Sequence, residues 1–153
     1  MHRAPPLAWD AQLATQAGGW AAYLASSQYC SLQPSSRAQQ GVVQGVGEVL
    51  HTWYQQLDSQ PGCAEAVQSW YDLGVDSFSW TSRPYTDNAY LMDWVQPFVQ
   101  LVWQATTHVG CGIGQGFATD GSVCFVAVCQ YLPAGATPLT DAAWRANLRP
   151  LTA

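Results

Sequence analysis

Three histidines, five cysteines and ten acidic residues hold most of the reactive chemistry of this chain. Glu48 and His51 are three residues apart, close enough to pair if their segment is helical; a solvated surface histidine is the simpler reading. His108 precedes a Val-Gly-Cys strand and His2 is terminal, so the three histidines form no catalytic constellation. A cysteine protease needs a thiolate beside a histidine, whereas Cys111 lies between glycines in a strand. No G-x-S-x-G elbow is present. Gly110-Cys111-Gly112-Ile113-Gly114 follows a helix and leads into a strand, the reverse of a phosphate cradle. No enzymatic activity and no cofactor are expected.

The elements that must carry these residues centre on Pro97–Gly112. Phe98, Leu101, Val102 and Ala105 recur at the spacing of a helical apolar stripe, and Pro97 suits a first helical position. β-Branched Thr106, Thr107 and Val109 then turn the pattern into a strand. A second strand is expected at Ser122–Tyr131 after an Asp120-Gly121 turn. Val123, Phe125, Ala127 and Cys129 face one side of it; Cys124, Val126 and Val128 face the other. Both faces are apolar, so layers must cover both. Cys124 and Cys129, on opposite faces, should not pair with each other. Upstream, Trp9, Leu13, Ala17, Trp20 and Leu24 mark a helix with Asp10 in its first turn. Gly18 and Gly19 weaken that helix by roughly 1 kcal/mol each. Arg37–Gly45 reads as a loop, and Asp58–Gly62 as a turn. Cys63–Leu73 is a further amphipathic helix, and Ser77–Met92 an aromatic loop with Phe78, Trp80, Tyr85 and Tyr90.

A chain of 153 residues supports one domain with a core. Its 48% hydrophobic content excludes a disordered polymer. Only 10% of residues are charged and lysine is absent, leaving a surface suited to partners or glycans. Five scattered arginines in a chain of net charge -5 give no basic stripe, so no nucleic acid is expected as a partner. No apolar run reaches the roughly 20 residues of a transmembrane helix. No signal peptide is visible ahead of Ala4, and there is no N-x-[ST] sequon. Five cysteines favour an oxidising compartment, with at least one left unpaired or linked elsewhere.

Separate blocks, in order, resemble the CAP superfamily of cysteine-rich secretory proteins, antigen 5 and pathogenesis-related protein 1. Pro6–Ala25 is similar to P-L-x-W followed by A-x-x-W-A. Tyr29–Ser35 and Gly47–Leu50 resemble C-x-L-x-H-S and G-E-N-L. Phe98, Gln100, Val102, Trp103 and Val109–Gly112 match G-H-F-T-Q-V-V-W and V-G-C-G, and Cys129–Gly135 resembles C-N-Y-x-P-x-G. The match spans about Ala4–Gly135 of a single domain, 1–153. Residues 136–153 form a C-terminal extension, on which Leu139, Trp144 and Leu148 are expected to lay a short apolar stripe. The resemblance implies an α+β fold, a three-layer α-β-α sandwich around a small antiparallel sheet.

In that family two histidines and two glutamates can hold a divalent metal. Their positions here are Pro34, Glu48, Leu73 and Pro97. Proline and leucine offer no lone pair to a metal, and one carboxylate does not hold zinc. The resemblance therefore implies a vestigial cavity, metal-free and with an apolar wall. It also implies a Cys30–Cys111 disulfide, leaves Cys63, Cys124 and Cys129 open, and places Trp9, Trp20, Trp70 and Trp103 in the core. Phe78, Trp80, Tyr85 and Tyr90 fall where relatives have been tied to sterol or lipid binding. The family's first helix is missing, so a protein partner or upstream chain is expected to cover its place. These features favour a non-catalytic interaction or scaffold domain in a larger, extracellular assembly. The alternatives are a secreted sterol- or lipid-binding protein and, least favoured, a metal-dependent hydrolase.

Overall fold

A computed structural model describes residues 2–35, 45–54 and 60–151. The first helix, α1 (Ala11–Ser27), starts where Asp10 caps it. The Asp10 carboxylate accepts the amides of Gln12 at 2.8 Å and Leu13 at 2.9 Å, satisfying donors the helix cannot. Asp10 is thus the cap and not a first-turn residue. A two-residue strand, β1 (Ala8–Trp9), precedes it and leaves Trp9 61% exposed, outside the core expected for it.

The sheet is completed by β2 (Gly47–Trp53), β3 (His108–Phe117) and β4 (Val123–Leu132), in the order β1-β3-β4-β2. The β3–β4 and β2–β4 ladders are antiparallel, and β1 adds a parallel edge. β4 is the buried centre expected from its two apolar faces. Cys124, Val126 and Val128 pack with Ala17, Ala21 and Leu24 of α1. Ala127, Cys129 and Tyr131 pack with Ala66 and Trp70 on α2 (Cys63–Val75).

The contact of α1 with β3 depends on alternate glycines. Gly110, Gly112, Gly114 and Gly116 share one face of β3, and a Cβ on any of them would run into α1 backbone: at Asp10–Ala14, Ala17–Gly18, Ala21–Ala22 and Ala25 in turn. Two strand residues advance about 6.7 Å and one helical turn about 5.4 Å. The helix can therefore follow the strand with one small residue per turn over each glycine.

On the opposite side, α4 (Met92–Leu101) follows α3 (Pro84–Asn88) and a 3-10 turn at Ala89–Leu91. Of the aromatic stretch Ser77–Met92, the loop expected throughout holds for Ser77–Arg83, while Pro84–Met92 is helical. Pro97 lies inside α4, not at its start, and the chain leaves the helix at Val102, so Val102 and Ala105 are not on its stripe. Phe98, Val99, Val102 and Trp103 pack with Phe78, Trp144 and Leu148. Trp144, on α5 (Asp141–Asn147), is fully buried, whereas Leu139 is 53% exposed. The C-terminal extension is thus part of the core through Trp144 and Leu148. The Asp141 carboxylate clasps α3, accepting the amides of Tyr85 and Thr86 and the Thr86 hydroxyl at 2.6–2.9 Å.

One disulfide ties the end of α1 to the sheet, and a second joins two neighbouring strands within it. Cys30, just beyond α1, bonds to Cys124, and Cys111 bonds to Cys129. The expected Cys30–Cys111 pairing is corrected: Cys111 and Cys129 are direct partners in the β3–β4 register. Cys124 faces α1, where Cys30 lies. Cys63, at the start of α2, is free.

Candidate functional site

Glu48 sits on β2 directly opposite Gln130 of β4. Its Oε1 accepts the Ser35 amide at 2.8 Å; its Oε2 accepts the Ser35 hydroxyl at 2.6 Å and the Gln130 Nε2 amide at 3.0 Å. Ser35 is 8% exposed and Gln130 fully buried. The carboxylate therefore ties the stretch before β2 to the middle of the sheet. The Gln130 Oε1 has no partner among the described residues.

The other three positions bring no donors to it. Pro34 is exposed, Leu73 is 42% exposed on α2, and Pro97 is half-buried within α4. The single apolar wall expected for this cavity is not what the structure holds: Glu48 lies among hydrogen-bonding groups, and Leu73 faces solvent. Proline and leucine side chains cannot ligate a metal, so these four residues do not fit one. Among the described residues, no three histidines, cysteines, aspartates or glutamates gather where an ion could sit.

His51 cannot pair with Glu48 through helical spacing, because β2 is a strand and residues three apart point to opposite faces. His51 instead packs edge-on to Trp53 and Trp70, with ring centroids at 4.5 and 6.4 Å. Burial there holds its pKa below the usual imidazole value. Asp141 is also held low, first by the Thr86 hydroxyl and then by backbone amides. Both groups bind protons less well folded than unfolded. Their contributions are present above the unfolded pKa values and are lost as pH falls through the folded ones. We expect the urea midpoint to fall from below about pH 6.5, as unfolded histidine protonates, and further below about pH 4, as unfolded aspartate does. An unchanged midpoint would contradict both placements.

Two buried residues have roles that the sequence does not announce. Gln100, legible only as a motif residue, is 1% exposed. It accepts the Gly135 amide at 2.7 Å and donates to Thr106 Oγ1 at 3.0 Å, fixing the exit of β4 against α4. His2, terminal in the chain, is buried. Its ring nitrogens lie 2.9 Å from the Arg149 carbonyl and 3.0 Å from the Tyr71 hydroxyl, and its ring stacks on Trp80. No periodicity points to it, since it lies outside every regular element. Of the four aromatic-stretch residues, Phe78 is 5% exposed and Tyr85 packs on Trp144. Only Trp80 and Tyr90 face solvent, at 38% and 78%.

The four-stranded sheet, covered by α1 on one face and α2 on the other, makes an α-β-α sandwich. The sequence model of the cysteine-rich secretory protein (CAP) family matches residues 1–131, and the chain belongs to that family. It is 35% identical over 128 residues to cysteine-rich secretory protein 2 of Homo sapiens, and 34% identical over 129 residues to cysteine-rich secretory protein 3 of Equus caballus. Each alignment covers 83% of this chain and 46% of the relative, so the chain spans about half the length of these relatives. The solved structure of BmVAL-1 superposes with a TM-score of 0.62 at 28% identity, over 84% of this chain and 59% of that one.

Glu48 can be tested by two substitutions. Glu48→Gln is expected to cost no more than about 1–2 kcal/mol, because the Ser35 hydroxyl can rotate and the Gln130 amide can flip to accept from the new NH2 group. Glu48→Ala leaves buried donors without an acceptor and is expected to cost about 3 kcal/mol. Urea denaturation distinguishes them; equal losses would contradict the proposed rearrangement.

Proposed function

We propose that this chain is a non-catalytic CAP module that works by binding a protein partner, outside the cell and within a larger assembly. The engagement of Glu48 carries this reading. Both carboxylate oxygens are held by Ser35 and Gln130, so the one ionisable side chain left at the family's ligand positions is occupied in holding the fold. The extracellular placement is supported by two disulfides, which persist in oxidising compartments, and by the secretory names of the relatives.

An interface is supported by exposed apolar residues on the α2–α4 side. Tyr90 and Trp94 are four residues apart and 78% and 56% exposed; Leu73, on the helix packed against α4, is 42% exposed. Exposed aromatic side chains one helical turn apart, as Tyr90 and Trp94 are, are of the kind that association surfaces bury. The lipid reading draws on the cleft beside Trp80, lined by Pro84, Trp144, Leu148 and Pro150, but its volume is about 200 Å3. Small-molecule sites typically enclose about 300–1,000 Å3, which favours the protein-partner reading over it.

Native mass spectrometry of protein isolated from its source tests the proposal. The expected species is this chain bound to a second polypeptide, released in a Tyr90→Ser, Trp94→Ser variant. A monomer carrying lipid and no polypeptide would overturn it.

A further inference from the structure

The end of α1, the residue after β2 and the β3–β4 turn meet in an open cleft lined by Gln28, Tyr29, Ser31, Tyr54, Thr119 and Asp120, with Ala118 between. Its volume is about 520 Å3, within the range of small-molecule sites. None of these residues belongs to the Glu48 cluster or to the exposed side of α4.

Tyr29 is the unexpected residue. It lies just past the helix at φ 54°, followed by Cys30 at φ 62°. A helix end of this kind usually places glycine in the left-handed region, because a side chain is disfavoured there. The turn is held by the Cys30 amide on the Leu24 carbonyl at 3.0 Å and by the Cys30–Cys124 disulfide. The Tyr29 ring, 59% exposed, gains little from packing. A costly backbone position thus presents an aromatic ring to solvent. Tyr54, 50% exposed, is fixed by donating its hydroxyl to the Cys30 carbonyl at 3.0 Å, so both rings are anchored to the same turn.

The polar lining is equally ordered. The Gln28 amide donates to Tyr23 at 3.1 Å and accepts from Gln33 at 3.3 Å. Asp120 Oδ1 is engaged by the amide and hydroxyl of Ser122 at 2.9 and 2.6 Å, which leaves Oδ2 of this exposed residue as an acceptor. Ser31 and Thr119, each carrying a hydroxyl, are among the same lining residues. The lining contains no cation and one carboxylate, so anionic ligands are disfavoured. Its hydroxyls, amide and carboxylate suit a ligand rich in hydroxyl groups, and its tyrosines suit one with an apolar C–H face. Both properties belong to a sugar ring.

We propose that this cleft binds a neutral oligosaccharide. Tyr29 and Tyr54 provide the stacking surfaces, and Ser31, Thr119 and Asp120 pair with sugar hydroxyls. The site is independent of the protein-binding reading above.

Titration of the intact chain with chitotetraose and cellotetraose, followed by saturation-transfer NMR and calorimetry, tests it. At least one sugar is expected to bind with Kd of about 0.1–1 mM, and Tyr29→Gly to weaken that binding about tenfold or more. Tyr29→Phe, which keeps the ring, should remain within about twofold of the parent. Tyr29→Gly should also raise the thermal midpoint, since glycine accepts the left-handed turn, and so its loss of binding would not reflect unfolding. No saturable binding of either sugar by about 10 mM, or binding undiminished in Tyr29→Gly, would overturn the proposal. Tight binding of tetramethylammonium in place of either sugar would overturn it too, marking the tyrosines as a cation site.

Discussion

With Cys30 and Cys124 both replaced by alanine, the protein is expected to lose about 4–5 kcal/mol of unfolding free energy. The bond closes a loop between residues 94 apart, so its removal frees most of the unfolded chain. It also joins the end of α1 to the buried centre of the sheet, where both cysteines are fully buried. Cys111 and Cys129 are only 18 apart, and removing that bond should cost about 3 kcal/mol. Total stabilities of about 5–15 kcal/mol make the first loss a large fraction of the whole. Urea denaturation of the two double variants under oxidising conditions checks the order. A larger loss for the Cys111–Cys129 pair would show that the length of the closed loop does not set the ranking.

Gly114→Val is expected to cost about 3 kcal/mol or more and to leave little folded protein. A Cβ at Gly114 would lie 2.6 Å from the Ala21 carbonyl carbon and 2.8 Å from Ala22 Cα. Both are backbone atoms of α1, which can yield only if the whole helix lifts from β3. Lifting it would open the packing of Ala17, Ala21 and Leu24 on Cys124, Val126 and Val128. Gly19→Ala is the control, because a Cβ there meets nothing within 4 Å. It should raise stability by about 1 kcal/mol through helix propensity alone. Circular dichroism during urea unfolding reads both. A folded Gly114→Val protein of near-parent stability would show that α1 does not rest on the strand's glycines.

Much of this architecture is legible in the chain. The two apolar faces of Val123–Tyr131 give a strand covered on both sides, and the alternation assigns Cys124 and Cys129 to opposite layers. Cys124, facing α1, bonds to Cys30 beyond that helix, while Cys129, on the other face, bonds to its neighbour Cys111 within the sheet; family resemblance alone points instead to Cys30–Cys111. The glycines of β3 are visible as a motif, but their purpose requires the position of α1, which only tertiary structure supplies. Pro97 suggests a helix start because proline is tolerated there, yet the helix begins at Met92, where the 3-10 turn before it feeds in. Glu48 is legible as a retained family residue. Its partners are not, since Gln130 lies 82 residues away and meets it only through the β2–β4 register.

The claim that the family's ligand positions now serve structure and binding, with no metal chemistry, is tested most directly by a calorimetric zinc titration of the disulfide-intact protein. We expect no tight site, because Pro34, Leu73 and Pro97 supply no lone pair and Glu48 is held by Ser35 and Gln130. One tight zinc site per chain, abolished by Glu48→Gln, would contradict the account.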